Sequence, residues 1–304
     1  MQELELLTGR SALVTGATSG IGFRTARTLA RLGATVYITG RDVTRGQAAE
    51  EQIRATAGQP NVRFLKADAA TVGGNQLLAR QIMCETDRLH ILVNNFGGAY
   101  NDRWETADGF EATLAMDFVG PFALTQALLP LLSTSVPARI VNVASMSHAW
   151  FRGDPFTDVQ STGCFLGGDA YSRAKLLNVM WTFELARRLD GSGVVANSAD
   201  PGGAWTSLTA GLAQRSVPTW MRLFWPVLRW LQRRGSPEVA AQSSIFLASA
   251  PGAATLTCAY VNAKLKRAGA AEAALDRRNQ QRAYELARKL VAEAPTAAER
   301  APIA

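Results

Sequence analysis

The sequence predicts one α/β domain, built as a doubly wound parallel sheet with helices on both faces. Short apolar runs alternate along the chain with segments whose apolar residues recur at helical spacing, as expected for strands buried on both faces. A glycine-rich turn separates the first apolar run from the first helical segment. Although 304 residues would allow two domains, no internal repeat and no Pro/Gly-rich linker divides them. We therefore expect a single domain.

The individual elements follow from this alternation. The predicted strands are residues 11–15, 35–39, 62–66, 89–94, 139–144 and 194–198, with a short last strand at 259–261. The predicted helices are residues 21–32, 41–57, 110–132, 171–189 and 237–248. Gly33 and Gly58 follow the first two helices, where glycine accepts the left-handed backbone that ends a helix.

Composition excludes several classes of protein and of site. Hydrophobic residues make up 47% of the chain and charged residues 19%, which is ordinary for a globular protein. The three cysteines lie far apart without a CxxC motif, and only two histidines occur, His90 and His148. We therefore expect no disulfide framework and no metal site, and few candidates remain for histidine-based catalysis.

The N-terminus and the charge favour a cytoplasmic protein without a nucleic-acid partner. The segment MQELELLTGR carries acidic residues and no long apolar run, so we expect no signal peptide. No stretch reaches the roughly 18 apolar residues of a spanning helix. The net charge is +7 without a long Lys/Arg block. A scattered positive surface, or a site for an anionic cofactor, explains that excess.

The turn after the first predicted strand reads TGATSGIG and leads into a helix. In such a strand–turn–helix, backbone N–H groups and the positive helix end face a phosphate, and missing β-carbons let a pyrophosphate approach. A tight turn without a ligand is the alternative. The cofactor-binding residues predicted here are Gly16, Thr18, Ser19, Gly20, Ile21 and Gly22.

The second predicted strand leads into Gly40 and Arg41. NAD-preferring folds of this kind commonly place an acidic residue here to bind the ribose 2′-hydroxyl. A carboxylate would repel a 2′-phosphate, whereas a guanidinium pairs with it. We therefore predict NADP(H) in preference to NAD(H). The alternative is that Arg41 simply begins a solvated helix.

Two further strand ends are predicted to hold the adenosine side of the cofactor. Asp68 and Ala69 follow the third strand, where a carboxylate can accept a hydrogen bond from the adenine amino group. Asn95 and Gly97, in the segment NNFGG, follow the fourth strand. Turns that merely end these strands are the alternative.

Tyr171 and Lys175 lie four positions apart at the start of a predicted helix and therefore project from one face. A nearby ammonium favours the phenolate, so we expect the pKa of Tyr171 to fall below its usual value of about 10. Tyr171 would then serve as a general acid or base. Ser145 ends the fifth strand, where ligands bind in open α/β sheets, and can donate to a substrate oxygen. A surface pair is the alternative explanation of YxxxK alone.

Taken in order, TGATSGIG, NNFGG, RIVNVASMSH, YSRAK and DPGGAWTSL resemble the short-chain dehydrogenase/reductase family over about residues 8–265. The wide spacing between Ser145 and Tyr171, together with YSRAKLLN, resembles its retinol-dehydrogenase-like branch. This resemblance implies a Rossmann-like fold and hydride transfer between a nicotinamide and a carbonyl or alcohol.

The resemblance also implies roles for individual residues. Tyr171 would be the proton donor or acceptor, Lys175 would bind the nicotinamide ribose and tune Tyr171, and Ser145 would hold the reacting oxygen. The segment that clasps the nicotinamide and its phosphate is matched by Pro201, Gly202 and Thr206.

Three positions depart from the family pattern. Asp117 stands where the family usually has an asparagine that helps to hold a water for proton relay. It adds a negative charge near Lys175, and we keep it as a candidate catalytic residue. Phe96 replaces the alanine of the NNAG motif and is expected to reshape the cofactor floor, and Asp200 begins the segment that resembles HPG.

We expect residues 1–266 to form the NADP-binding domain, with a lid at about 205–235, and residues 267–304 to form a helical C-terminal tail. Aromatic residues in 146–168 and 206–234 predict a pocket for a bulky hydrophobic small molecule. Contact with a membrane surface is the alternative for the second segment. The resemblance implies a homodimer or homotetramer, assembled through the helices at 110–132 and 171–189.

The predicted function is therefore that of an NADPH-dependent oxidoreductase acting on a carbonyl or alcohol of a bulky hydrophobic substrate. One alternative is a redox-silent cyclase or dehydratase that keeps the cofactor as a scaffold, which Asp117 and Phe96 leave open. The other is a non-catalytic NADPH-binding protein, against which the intact set of Ser145, Tyr171 and Lys175 argues.

Overall fold

The sheet of the computed structural model, which describes residues 4–58, 61–202 and 235–295, has eight strands in the order β3-β2-β1-β4-β5-β6-β7-β8. Neighbouring strands pair in parallel, except for the antiparallel pair β7–β8. The strands are β1 Ser11–Val14, β2 Thr35–Gly40, β3 Val62–Lys66, β4 Ile91–Asn94, β5 Ala138–Val143, β6 Val194–Ala199, β7 Tyr260–Val261 and β8 Arg267–Ala268. The predicted fold class is confirmed, and β8 is an addition to the predicted strands.

Helices cover both faces of this sheet. They are α1 Gly20–Arg31, α2 Val43–Ala57, α3 Val72–Glu85, α4 Ala112–Ser133, α5 Gly167–Arg188, α6 Pro237–Ala240, α7 Gln242–Ser249, α8 Glu272–Leu275 and α9 Arg277–Glu293. One apolar core joins the sheet to α3, α4, α5 and α9, and a second joins its opposite face to α1, α2 and α7. Strands β1, β4 and β5 are buried along their whole length, which explains their continuous apolar sequences.

Two helical segments differ from the prediction. Helix α3 was not predicted, because its first turn, VGGN, has weak helical propensity. Its start is fixed by Thr71, whose hydroxyl accepts a hydrogen bond from the N–H of Gly74 over 3.1 Å. The segment predicted as one helix at 237–248 forms the two helices α6 and α7.

The C-terminal helix α9 completes the core on the face of α4 and α5. The ring of Tyr284 meets the ring of Phe122 edge-on at 5.0 Å, and Phe122 meets Trp181 at 5.5 Å. The hydroxyl of Tyr284 donates to Oε1 of Gln126 over 3.2 Å. Within one chain, every residue of α5 from 172 to 186 is buried. The helix expected to contact a second subunit therefore has no exposed residue over those positions.

Helix α4 is long and apolar enough to cross a bilayer, with a mean hydropathy of 1.4 over its most apolar window. However, 72% of that window is buried inside the protein, as expected for a core helix packed on a sheet. It contains a π-helical turn at Ala115–Val119, a feature often found at functional sites. The predicted lid at 205–235 and Thr206 lie almost entirely outside the described residues, which break off after residue 202 and resume at residue 235.

Candidate active site

The predicted site residues come together at the carboxyl edge of the sheet. The glycine turn follows β1, Asn95 and Gly97 follow β4, Ser145 follows β5, and Pro201 and Gly202 follow β6. This is the edge at which open α/β sheets bind their ligands.

The glycine turn has the backbone that close approach of a phosphate requires. Gly16 and Gly20 have φ angles of +63° and +60°, a region that L side chains rarely adopt. A β-carbon at Gly20 would meet no atom within 4 Å, whereas one at Gly22 would collide with the side-chain amide of Asn95. The side chain of Ser19, the N-cap of α1, accepts no capping hydrogen bond. The N–H groups of the first turn of α1 thus remain available to an anion.

Asn95, which follows the neighbouring strand β4, stabilises this turn through hydrogen bonds. Its side-chain amide donates to the carbonyl oxygens of Thr15 over 2.8 Å and of Gly16 over 3.2 Å. The hydroxyl of Thr15 accepts from the N–H groups of Asn95 and Phe96, each over 3.0 Å. Phe96 packs against a small apolar cluster that contains Met116. The bulky side chain of Phe96, which replaces the alanine of the family motif, is accommodated beside the turn in this way.

Arg41 directly follows the last residue of β2. Arg41 is exposed, and no carboxylate of the described residues forms an ion pair with it. The nearby carboxylate, Asp42, caps α2 by accepting from the N–H of Arg45 over 3.0 Å. Asp68 is also exposed, and its Oδ1 accepts from the N–H of Ala70 over 3.1 Å. The phosphate-binding role of Arg41 and the adenine-binding role of Asp68 stay predictions.

The structure brings Ser145, Tyr171 and Lys175 together. Ser145 starts the 3₁₀ turn Met146–Ala149, and its Oγ accepts from the N–H of Ser147 over 3.2 Å. Tyr171 lies in the first turns of α5, within hydrogen-bonding reach of the Ser145 side chain. The ammonium Nζ of Lys175 lies 5.7 Å from the centre of the Tyr171 ring.

The expected lowering of the Tyr171 pKa is wrong for this structure. Removal of the phenol from water raises its pKa above the usual value, and this effect outweighs the lowering by the Lys175 ammonium. The carboxylate of Asp117 raises the pKa further, while the hydrogen bond with Ser145 lowers it. The spacing of the two residues in the sequence indicates that the Lys175 ammonium lies near Tyr171, but it does not indicate that the phenol is buried. The predicted direction of the pKa shift was therefore wrong.

Asp117 forms a buried ion pair with Lys175. Its Oδ1 lies 2.8 Å from Nζ of Lys175, which also donates to the carbonyl oxygen of Val143 over 2.8 Å. Oδ2 of Asp117 accepts from the N–H of Gly98 over 3.2 Å. A β-carbon at Gly97 would collide with the Asp117 carboxylate, so glycine is required at that position for the pair to form.

For each member of this pair, burial and the attraction of the opposite charge shift the pKa in opposite directions. Burial raises the pKa of Asp117, and the neighbouring ammonium only partly offsets that rise. Burial alone would lower the pKa of Lys175, but the Asp117 carboxylate raises it above the usual value. The lysine is therefore held as an ammonium.

A chain of hydrogen bonds between buried polar residues leads from strand β4 to the backbone of Asp117. The amide of Asn94 donates to Oδ1 of Asn142, whose own amide donates to the hydroxyl of Thr182, each over 2.8 Å. That hydroxyl donates to the carbonyl oxygen of Asn178 over 2.7 Å, and the Asn178 amide donates to the carbonyl oxygen of Asp117 over 2.8 Å. These residues were not predicted as site residues. The signal was present, because asparagines interrupt otherwise apolar strands.

His148 ties the serine loop to the C-terminal part of the chain. Its Nε2 accepts from the backbone N–H of Ala271 over 3.0 Å, so the proton of the neutral ring is assigned to Nδ1, which donates to the carbonyl oxygen of Ser145 over 2.8 Å. Burial lowers the pKa of His148 and favours this neutral form. These two hydrogen bonds give His148 a structural role, with Ala271 of the C-terminal tail as its partner.

The segment after β6 is held in a tight turn. Gly202 has a φ angle of +68°, and its N–H donates to Oδ1 of the buried Asp200 over 2.9 Å. The aspartate that departs from the family pattern therefore fixes the backbone of the Pro201-Gly202 turn. Over the described ranges, no group of three or more His, Cys, Asp or Glu residues has the arrangement of a metal site.

Comparison with known proteins identifies the family of the chain. A family model described as short chain dehydrogenase matches residues 10–216. Retinol dehydrogenase 11 of Mus musculus is 37% identical over 252 residues, which cover 83% of this chain and 77% of the relative.

Solved structures show the same fold. A crystal structure of an uncharacterised protein from Mycobacterium paratuberculosis matches with a TM-score of 0.75 and 27% identity, covering 97% of this chain and 98% of that one. The Pseudomonas aeruginosa RhlG/NADP active-site complex matches with a TM-score of 0.65 and 29% identity, covering 84% and 95%.

Proposed function

Because this chain belongs to the short-chain dehydrogenase family, and to its retinol-dehydrogenase-like branch, we propose that it reduces the carbonyl of a bulky hydrophobic substrate with NADPH, using Tyr171 as the general acid. The observation that carries the proposal is the convergence of Ser145, Tyr171 and Lys175 beside the glycine turn, at the carboxyl edge of the sheet. The family's NAD(P)-dependent oxidoreductase activity supplies the reaction class.

The residues suit a reduction as follows. When bound, the reduced nicotinamide supplies the hydride that the carbonyl carbon accepts. The Ser145 hydroxyl donates a hydrogen bond to the carbonyl oxygen and stabilises the negative charge that develops there. Tyr171 donates its phenolic proton to the same oxygen. Its raised pKa keeps that proton in place at neutral pH.

Lys175 has two roles in the proposed reaction. Two of its ammonium N–H directions point to Asp117 and to the Val143 carbonyl, and a third is left for a ribose hydroxyl. Its charge also lowers the pKa of the phenol and so limits the effect of burial. Asp117 holds the ammonium in this position.

The proposed substrate is a lipophilic aldehyde or ketone. The mouse relative is named for retinol, and the residues predicted to form the pocket are rich in aromatic side chains. The test is to follow NADPH absorbance during incubation with retinal, with a polycyclic ketone and with a small ketone. We expect turnover of the bulky carbonyls. Conversion of a substrate without oxidation of NADPH would instead support the cyclase or dehydratase, and cofactor binding without any conversion would support a non-catalytic protein.

Arg41 is proposed to set the preference for NADP(H). Replacing it by glutamine should raise the KM for NADPH about 10- to 100-fold, because a hydrogen bond to a charged group contributes about 1.5–3 kcal/mol, and should leave the KM for NADH nearly unchanged. Steady-state kinetics with both cofactors measure this. Arg45→Gln, also exposed and close to the start of α2, is the matched control. Equal effects of Arg41→Gln on both cofactors would contradict the assignment.

A further inference from the structure

A cavity of about 230 Å³ lies between the end of α5, strands β7 and β8 and the starts of the C-terminal helices. Its wall contains three arginines, Arg187, Arg267 and Arg277, and no aspartate or glutamate of the described residues lines it. We call it the arginine pocket. The residues proposed for catalysis and cofactor binding do not line it.

Two of the three charges have no acidic partner among the residues that the structure describes. Arg267 and Arg277 are exposed, and neither forms an ion pair with a carboxylate of the described chain. Arg187 is held in place from two sides, because it donates to Glu184 and to the buried amide of Gln280. The cavity thus combines one fixed guanidinium with two that are free to meet a ligand.

The rest of the lining is mostly apolar and includes Phe183, Ala268 and Leu275. Cys258 also lines the cavity and is partly exposed. Burial raises the pKa of its thiol, while the guanidiniums of Arg187, Arg267 and Arg277, which line the same cavity, lower it. Guanidiniums recognise carboxylate and phosphate through paired hydrogen bonds, and the apolar lining suits a short hydrocarbon part.

We propose that the arginine pocket is a binding site for a small organic anion, whose carboxylate or phosphate is held by Arg267 and Arg277 and whose apolar part lies against Phe183 and Leu275. The site is independent of the proposed oxidoreductase chemistry. The ring of Tyr260, which also lines the pocket, lies 4.7 Å from the ring of His148. A ligand in the pocket would therefore contact Tyr260, which packs against His148. The ring of His148 is in turn hydrogen-bonded to the carbonyl oxygen of Ser145.

Cys258 provides a direct measure of occupancy. In the full-length Cys84→Ser/Cys164→Ser variant, which removes the two exposed thiols, the rate of alkylation of Cys258 by iodoacetamide is followed by mass spectrometry. Hexanoate and inorganic phosphate are the two probes, and chloride at the same ionic strength is the reference. We expect saturable protection, with the rate falling about 10-fold when the probe exceeds its Kd about 10-fold.

The two probes separate the contributions to binding. Protection by hexanoate alone indicates that the apolar lining is needed, and equal protection by both indicates that the charge is sufficient; either supports the site. Removing one guanidinium by Arg267→Gln or Arg277→Gln should weaken the protection about 10-fold or more. Arg278→Gln, an exposed position of the same helix outside the lining, should not.

The proposal is overturned if neither probe protects Cys258 better than chloride does. It is also overturned if the protection survives the double change Arg267→Gln/Arg277→Gln. Because the measurement involves no turnover, its outcome does not depend on whether the proposed reductase activity is found.

Discussion

Replacing Tyr171 by phenylalanine is expected to lower kcat/KM for carbonyl reduction by about 10³-fold, within the 10²- to 10⁴-fold range of general acid–base catalysis. The substitution removes the proton that Tyr171 is proposed to donate and keeps the ring that packs beside Lys175. The change also removes the hydroxyl whose pKa the Ser145 side chain lowers.

Steady-state kinetics at saturating NADPH measure this effect, and the Kd for NADPH, obtained from protein fluorescence, should change little. Tyr284→Phe is the matched control, because it deletes a hydroxyl that donates only to Gln126 on α4. It should leave turnover close to the unsubstituted level. Turnover of Tyr171→Phe within a few-fold of that level would refute the assigned role.

Replacing Asp117 by alanine is expected to destabilise the fold by about 3–5 kcal/mol, because it leaves the buried Lys175 ammonium without its counter-ion. Only the Val143 carbonyl would remain as a partner of Nζ. The midpoint of urea unfolding, compared at constant slope, measures the change. A loss below about 1 kcal/mol, the range of an exposed pair, would show that the lysine finds water in the folded protein.

Asp117→Asn is the companion variant, since it keeps the shape of the side chain and removes its charge. The Asp117 carboxylate raises the pKa of Tyr171, so the amide should lower it. The phenol then ionises at lower pH. The alkaline limb of the pH profile for reduction should move to lower pH, and alcohol oxidation should gain at a given pH. An unchanged profile would mean that Tyr171 does not sense the Asp117 charge.

The sequence was sufficient to predict the first seven strands of the sheet and the edge at which the glycine turn and Ser145 lie. Parallel strands buried on both faces have continuous apolar sequences, and the strand–glycine–helix pattern places the turn at one edge. The end of β5 indicates the position of Ser145, and the resemblance to the family implies that Asp117 lies near Lys175. The negative charge expected beside Lys175 is the Asp117 carboxylate, whose Oδ1 lies 2.8 Å from Nζ of Lys175.

Other features depend on contacts that no local pattern encodes. The direction of the Tyr171 pKa depends on how much water the folded chain excludes from the phenol. The bond from Ala271 to His148 joins positions separated by 123 residues, and neither position carries a distinctive motif. Helix α3 has two glycines in its first turn, so its existence is decided by packing on the sheet rather than by propensity.

The packing of α9 has a consequence for how the chain folds during synthesis. Phe122 and Trp181 belong to the middle of the chain, yet the ring of Tyr284 completes their apolar cluster, and the bond from Tyr284 to Gln126 spans 158 residues. Contacts of such long range form only after the intervening chain exists. A nascent chain on the ribosome therefore exposes this apolar face until α9 has emerged, and during that interval it is a surface for chaperones or for aggregation.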